Sequence, residues 1–564
     1  MNLKKNKDSK IKELITLLKL KKFNPAKEKT LELLKENPNN HVIHNIFGAI
    51  LTSEDKLEEA ILHYKKSIEI KLDYAEAHNN LGTVHQKLNN LEDAFESYKK
   101  ALKYKSNFAE ALSNLGGILH KTGKFEEAIS KYNQSLKINP QYTMAYSNLG
   151  NTLFELGRFE EAIASHQRAI QIDPNYVDGY SNLGKALTKL GKFEEAIKNY
   201  KKAISLNPDF AETYSNLGNT LAELEKFEEA IINHQKSITI NPKYKEALFN
   251  ESVIHLGLGE FEKGWKQYEC RFETSSIPPR RYKTKNLWEG SYLDGTLLVW
   301  AEQGIGDQIL FISMIPDLKK YAKNIIIEID KRLVDLFKRY CDQANFLNIK
   351  IVASKNQKLI NNFDKHIAMG SLGQYLRNSE KSFKTTPKRY LISSKLKEQE
   401  LKEKFFRNKK FNVGICWKTL NKKQQFRNIQ LEKMLSILSN TNCNFVNLQF
   451  GEFDKDLQYL KQKHGINIQK VTDVDNYNDL DGLAALINCL DLVITIQNST
   501  AHLACALGKK TWIILAKNAR WHWLINRKES LWYPSATLFR QKKMGDWNNV
   551  INSIGIELKK IINN

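Results

Sequence analysis

Two rhythms of apolar and polar positions run along this chain, and one gives way to the other near residue 275. In the first, small residues recur at a step of 34: Gly48, Gly82, Gly116, Gly150, Gly184 and Gly218, then Ala60, Ala94, Ala128, Ala162, Ala196 and Ala230. The phrases GKFEEAI, GRFEEAI and EKFEEAI recur in phase, and Pro140, Pro174, Pro208 and Pro242 close four of the units. The pattern predicts two helices per unit, with Leu-Gly in the first and Ala in the second. Proline cannot continue the hydrogen-bond ladder and so ends the second helix. Carrying the phase outward gives eight units, starting near residues 7, 41, 75, 109, 143, 177, 211 and 245. The first and last are atypical, with Leu14 and Ser252 at the glycine position.

The second rhythm begins after a break rich in turn formers, Ser275-Ser276-Ile277-Pro278-Pro279-Arg280-Arg281. Short apolar runs of strand length now alternate with helical spacing. Strands are expected at Leu297–Trp300, Ile325–Ile329, Lys350–Val352 and Lys365–Ala368. A charged helix around Lys395–Phe406 follows, then strands at Asn412–Trp417, Asn444–Gln449, Ile466–Gln469, Leu492–Ile496 and Thr511–Leu515. Two such series in succession predict two Rossmann-like α/β domains facing each other across a cleft.

One stretch stands out within the second rhythm: LLVWAEQGIGDQILFISMIP, residues 297–316. Leu297–Trp300 has strand length, and Ile309, Ile312 and Ile315 share one side of a helix. Between them Gly304 and Gly306 allow a tight turn with room for a ligand above the helix start, and Asp307 sits in its first turn. This is not a dinucleotide fingerprint, because Ile309 occupies the third glycine position, and no Gly-Lys-Ser/Thr follows. The plainer alternative for Asp307 is a helix cap.

A second stretch, Asp491 to Gly508, reads as a buried strand, a polar turn and a helix ended by Gly508. Asn498 and Ser499 are good N-caps, and the backbone N–H groups beyond them suit a diphosphate. His502 lies in the first turn, placed to add a hydrogen bond.

Composition excludes more than it selects. At 564 residues the chain exceeds one core and predicts about three or four domains. The +23 net charge invites nucleic acid, but the lysines are spread through the chain and interleaved with Glu, without a basic face carrying aromatics. Cys270, Cys341, Cys416, Cys443, Cys489 and Cys505 form no Cys-x-x-Cys pair, which suits reduced, buried thiols. MNLKKNKDSK lacks the apolar core of a signal peptide, and no apolar run is long enough to span a bilayer. A cytoplasmic protein is expected. Asp473-Val474-Asp475 has the Asp-x-Asp spacing of a metal signature, but Asp454/Asp456 and Asp479/Asp481 share it, so no metal site is expected.

The 34-residue period resembles the tetratricopeptide repeat, an all-α array whose stacked units form a superhelix. Asn80, Asn114, Asn148, Asn182, Asn216 and Asn250 keep the same step, two residues before the glycine position. Asparagine is a mediocre helix former, and its amide matches a peptide backbone. The array of the O-linked N-acetylglucosamine transferases carries a similar ladder that holds substrate protein extended. The alternative is that the ladder keeps neighbouring units in register.

EQGIGD, VGICW, the AHLA-x-ALGK helix and WYP-x-x-x-LFRQ, in this order, resemble a bacterial group in which such an array precedes a glycosyltransferase domain similar to the ADP-heptose:lipopolysaccharide heptosyltransferases. That resemblance covers about residues 285–560 and implies the GT-B fold, a nucleotide-sugar donor and inversion at the anomeric carbon. It implies that Asp307 is the general base, that Lys418 binds phosphate, and that Asn498, Ser499, Thr500 and His502 form the diphosphate turn. Where the family usually has Asp-Thr, this chain has Gln497-Asn498. Arg427 is a further candidate for a phosphate, with a solvated arginine as its alternative. The aromatic run Arg520-Trp521-His522-Trp523 and Trp532-Tyr533-Pro534 stacks on a sugar or base, or packs a long loop.

The expected layout is a repeat array over 1–272, a linker over 273–290, an acceptor-side domain over 291–408 and a nucleotide-sugar domain over 409–564. The expected activity is metal-independent, cofactor-free sugar transfer to an acceptor, a protein docked by the array. Its rivals are an interaction scaffold with a degenerate second half, and a transferase acting on a cell-surface glycan or lipid-linked sugar.

Overall fold

A computed structural model describes residues 13–14, 16–17, 20, 23–275, 277–354, 362–407, 410–420, 426–440 and 442–563. The start of the first expected unit, residues 7–12, lies outside the described residues, as do the segment read for a signal peptide and Ser276 in the break. The chain divides into two compact units, residues 1–220 and 221–564.

In the first unit, helix pairs follow the 34-residue step. After Phe23–Glu36 come His41–Ser53 with Leu57–Ile70, Ala75–Lys87 with Leu91–Tyr104, and Ala109–Lys121 with Phe125–Ile138. Thr143–Glu155 with Phe159–Ile172 and Val177–Lys189 with Phe193–Leu206 continue the series. Ala60, Ala94, Ala128, Ala162 and Ala196 are wholly buried, so any larger side chain there would push helices apart. The glycine series has an equally direct cause. A Cβ at Gly48, Gly82 or Gly116 would stand 2.7–2.8 Å from the ring of Tyr64, Tyr98 or Tyr132 on the second helix of the same pair. Each of these three glycines is therefore the seat of one tyrosine.

The second unit opens with helices Phe227–Ile240, Lys245–Leu258 and Phe261–Tyr268. Two parallel five-stranded sheets follow. The first holds β1 (Asn286–Leu287), β2 (Leu293–Trp300), β3 (Ala322–Ile329), β4 (Ile349–Ala353) and β5 (Lys365–Ala368), in the order β1-β5-β2-β3-β4. The second holds β6 (Phe411–Cys416), β7 (Cys443–Asn447), β8 (Leu492–Ile496), β9 (Thr511–Leu515) and β10 (Ala536–Arg540), in the order β10-β9-β8-β6-β7. Both are doubly wound: strand order reverses between β2 and β5 in one sheet, and between β6 and β8 in the other. Clefts at the carboxyl ends of strands beside such reversals are where open α/β sheets bind ligands.

The expected strand at Ile466–Gln469 is a correction: only Gln469 pairs, as a single bridge to Val446. Its residues alternate between exposed and covered beside an edge strand, so apolar content alone did not make a ladder. The two outer strands β1 and β10 were not expected. β1 is two exposed residues, too short for a pattern, and β10 buries only every other residue at its start.

One apolar core runs from the first sheet into the second. The helix Ile305–Ile312 and the helix Ser499–Ala506 both belong to it, through Ile309, Leu310, Ala501 and Leu503. The six cysteines are buried and unbridged. Among the described residues no helix is long and apolar enough to cross a membrane.

Candidate functional site

The loop after β2 is fixed from beneath. The Glu302 side chain is buried and accepts from Arg271 Nη2 at 3.0 Å and from the Gly370 N–H at 3.1 Å. Arg271 is itself wholly buried, so this is a desolvated ion pair that anchors the loop. Gln303 donates to the Tyr268 hydroxyl at 2.9 Å, and Gln308 donates to the Gln303 carbonyl at 3.0 Å. The loop then enters the helix Ile305–Ile312 through Gly304.

The glycines act differently from the sequence expectation. Gly304 is extended, with φ −63°, and Gly306 lies outside the left-handed region, so neither provides a turn that only glycine can make. Gly306 instead allows close approach: a Cβ there would lie 3.1 Å from His502 Cδ2 and 3.8 Å from Ser499 Cα. The two motifs singled out in the sequence thus meet at this glycine.

Gly304, not Asp307, is the N-cap of the helix Ile305–Ile312, and the side chain of Asp307 turns to an arginine. Its Oδ1 accepts from Arg520 Nη1 at 3.0 Å, with the carboxylate only 16% exposed. Burial pushes its pKa above the ordinary aspartate value, against the pull of Arg520 and, more weakly, Arg427. Arg427 is buried, which corrects the solvated alternative; burial and the charge of Arg520 bring it down to about 10. Asp307 and Arg520 face a cavity of about 420 Å³, with Gln303, Tyr268, Trp521 and Glu223 also on its wall.

The turn after β8 is built as a cap. Asn498 Oδ1 accepts from the Ala501 N–H at 3.1 Å and from Thr495 Oγ1 at 3.2 Å, and its Nδ2 donates to Cys416 Sγ at 3.0 Å. Gln497 Oε1 accepts the Arg520 backbone N–H at 3.2 Å, and so positions the arginine that holds Asp307. Ser499 and Thr500 line a second cavity of about 250 Å³, with Arg332, Asn476 and Tyr477. The Thr500 Oγ1 and Asn476 Oδ1 atoms are buried without a hydrogen-bond partner among the described residues.

Two expected donor contacts point elsewhere. His502 is buried, its Nδ1 2.7 Å from the Tyr533 hydroxyl and its ring stacked 5.2 Å from Trp523. Burial, helped by Arg520, brings its pKa down to about 3, so the imidazole is neutral. The Lys418 ammonium pairs with Asp456, and Lys418 lines neither cavity. The aspartates weighed for metal are also engaged: Asp473 with Lys404, Asp454 with Lys470 and Asp479 with Lys397.

The asparagine series separates into two kinds, although all six are half-buried. Asn80 Nδ2 donates to Asn45 Oδ1, and Asn114 Nδ2 to Asn79 Oδ1, each at 3.0 Å across neighbouring pairs. From the next pair onward the accepting position is Ser113, Ser147, Ser181 and Ser215, whose side chains are shorter. The side chains of Asn148, Asn182, Asn216 and Asn250 make no hydrogen bond among the described residues.

Sequence reasoning missed Arg520 as the partner of Asp307 and Arg271 as the anchor of Glu302. Arg520 was visible only as the first residue of an aromatic run at the carboxyl end of β9, which is itself a place where α/β sheets collect ligand groups.

Comparison with known proteins bears on the first half. One model of the tetratricopeptide repeat matches residues 48–89, 116–157, 150–191 and 184–225, and a second matches 75–108 and 211–244. Protein FlbA of Caulobacter vibrioides is 27% identical over 331 residues, 55% of this chain and 54% of that protein. The chain thus spans about half the length of this curated relative. Among solved structures, YrrB, described as a TPR protein with an unusual peptide-binding site, is 26% identical, covering 34% of this chain and 98% of that one at a TM-score of 0.29. MamA is 28% identical, covering 29% and 95% at a TM-score of 0.27. PilF of Pseudomonas aeruginosa is 20% identical, covering 38% and 96% at 0.34. Together the 34-residue helix pairs and the two repeat models make residues 48–108 and 116–244 a tetratricopeptide-repeat array, of a kind suited to protein–protein interaction, joined to a C-terminal region of two parallel sheets.

Proposed function

We propose that this protein is a metal-independent, inverting glycosyltransferase of GT-B type, using a nucleotide-diphosphate sugar and an acceptor protein docked by its repeats. The observation that carries the reading is Asp307, a carboxyl raised by burial, beside an open cavity at the strand reversal of the first sheet. Supporting it, the turn after β8 stands at the reversal of the second sheet and packs against the helix that bears Asp307.

In this reading Asp307 takes the proton of the acceptor hydroxyl. The freed oxygen attacks the anomeric carbon from the face opposite the diphosphate, and the carbon–oxygen bond to the diphosphate breaks. The nucleoside diphosphate leaves with the electron pair. Arg520 and Arg427 balance the charge that moves onto the leaving phosphate, and the N-terminus of the helix Ser499–Ala506 adds its dipole. For Asp307 to act, the incoming donor must draw Arg520 away from its carboxylate. Ser499 and Thr500 are the residues of the turn open to a cavity, and they contact the donor ahead of His502 and Lys418. The competing acceptor class is a glycan or lipid-linked sugar.

The test is transfer of labelled sugar from a set of nucleotide-diphosphate donors by the full chain, with donor binding read by thermal shift. Stabilisation by one nucleoside diphosphate, and transfer abolished by Asp307→Asn, are the expected results. Absence of stabilisation by UDP, ADP, GDP and CDP overturns the donor site. The scaffold reading draws on the Asp307–Arg520 pair, which occupies the proposed base; donor binding without transfer to any acceptor favours it.

A further inference from the structure

The tyrosine seated on each glycine of the array is interrupted. Tyr64, Tyr98, Tyr132 and Tyr200 hold the position, but two histidines share the step of 34: His234 after the last tyrosine, and His166 between Tyr132 and Tyr200. The His166 ring packs on Gly150 as the tyrosines pack on theirs, with Cε1 2.6 Å from where a Cβ would be. The imidazole is shorter than a phenol, and the hydroxyl that reaches Thr52 from Tyr64 at 3.2 Å, or Gln86 from Tyr98 at 3.1 Å, has no counterpart. A cavity of about 360 Å³ lies at this place, walled by His166 and by the first helices of successive pairs.

The lining of this cavity has a definite chemistry. Glu155, Asp178 and Glu212 bring three carboxylates, and none is ion-paired among the described residues. The one cation on the wall, Lys185, sits 5.0 Å from the centre of the Phe154 ring. Phe154 and Phe210 offer aromatic faces, and Asn182 offers an amide with no partner among the described residues. His166 is 99% buried, and its Nδ1 has no hydrogen-bond partner among the described residues. Burial and Lys185 bring this imidazole down to about 4, so it is neutral near pH 7 and presents an acceptor rather than a charge.

We infer that this cavity receives an arginine side chain from an extended segment of a partner protein. A guanidinium plane stacks on aromatic faces, and its fork of five donors matches carboxylates two at a time. A neutral imidazole nitrogen and the Asn182 amide oxygen accept the remaining donors. The inference rests on the docking role proposed for the array and is independent of sugar transfer.

The experiment uses the full-length protein and four labelled peptides that share a Gly/Ser/Ala background and differ only in a central Arg, Lys, Ala or Glu. Binding is read by fluorescence anisotropy. The Arg peptide is expected to bind about tenfold more tightly than the Ala peptide and more tightly than the Lys peptide. The double variant Asp178→Asn, Glu212→Gln removes two exposed charges and erases most of that preference. His166→Tyr restores the residue found at Tyr132 and Tyr200, so it folds; it fills the cavity and lowers Arg-peptide binding while the melting temperature holds or rises. Equal binding of Arg and Ala peptides, equal binding of Arg and Lys peptides, preference for Glu, or unchanged Arg binding by His166→Tyr each overturns the inference. Sugar transfer to an unstructured acceptor, measured beside these titrations, separates failure of this pocket from failure of the transferase reading.

Discussion

In the repeat array the same position does the same work every 34 residues, whereas in the α/β unit each site residue does something no other residue does. Gly48, Gly82 and Gly116 each seat a tyrosine, so a reader of the sequence sees the rule three times before meeting His166 as the first of two exceptions, His234 being the second. Asp307, Arg427 and Arg520 meet from three distant parts of the chain and have no copies to compare. A period exposes packing and its exceptions; a site assembled from loops exposes only its local ends. The two halves therefore fail differently under mutation, and that difference is measurable.

The largest effect is expected at Asp307. Asp307→Asn keeps the shape and removes the base, so transfer falls by roughly 10²–10⁴-fold, with donor affinity near that of the unaltered protein. Stability changes little, because the amide avoids burying a charge while giving up an ion pair to Arg520, which is 38% exposed. Steady-state transfer beside a donor titration checks this. Equal transfer by both proteins would leave Asp307 a structural residue and place the α/β unit with the array, as packing alone.

This residue also measures what the sequence disclosed. Asp307 was legible because strand, glycine loop and helix are local, and so was its rank at the carboxyl end of a strand. Its partner was not: Arg520 follows β9, 213 residues away, and only the folded chain brings them to 3.0 Å. The reason for Gly306 was misread for a related cause. Its conformation is ordinary, and what crowds a side chain there is the helix Ser499–Ala506, nearly 200 residues on. Arg427 looked like a surface arginine because nothing nearby in sequence announces that it is buried.

Next in size is a test of the array's rule. Gly116→Ala places a Cβ 2.8 Å from the Tyr132 ring, inside any real contact. Overpacking of this kind costs about 1–3 kcal/mol, read as a lower urea midpoint. Gly123→Ala is the companion: it has open space around its Cβ but a φ of +77°, so its cost comes from the backbone alone. A harmless Gly116→Ala would mean that the two helices of a pair separate easily, and that the glycine step is not a packing rule.

The pH dependence of transfer sharpens the contrast from the other side. Burial raises the Asp307 pKa, so the base form is lost as pH falls through a value above 3.8, and kcat/KM should show its acid limb there. Arg520 is the larger of the two charges holding that pKa down. Arg520→Gln should therefore move the limb to higher pH. The rate then falls most below the limb, and the loss that remains above it reads the share of Arg520, beside Arg427, in balancing the leaving phosphate. A limb that stays in place would mean that the ion pair does not set the charge state of Asp307.

The smallest effects separate two asparagines that look identical in sequence. Asn114 donates to Asn79 of the preceding helix pair, and Asn182 lines the cavity beside His166 with no partner among the described residues. Loss of one such half-buried hydrogen bond is worth about 0.5–1.5 kcal/mol, so Asn114→Ala lowers the urea midpoint slightly and leaves Arg-peptide binding unchanged. Asn182→Ala removes no internal bond, so its unfolding curve overlays that of the unaltered protein, while Arg-peptide binding weakens by a few-fold. The accepting residue explains the division: Asn79 reaches across to the next pair, and Ser147, in the corresponding place before Asn182, instead accepts from the Tyr176 hydroxyl at 3.1 Å. Serine at this position releases the following asparagine from holding units in register. If Asn114→Ala and Asn182→Ala lose the same stability and neither alters binding, the series is register throughout, and its regular step carries no information about a partner.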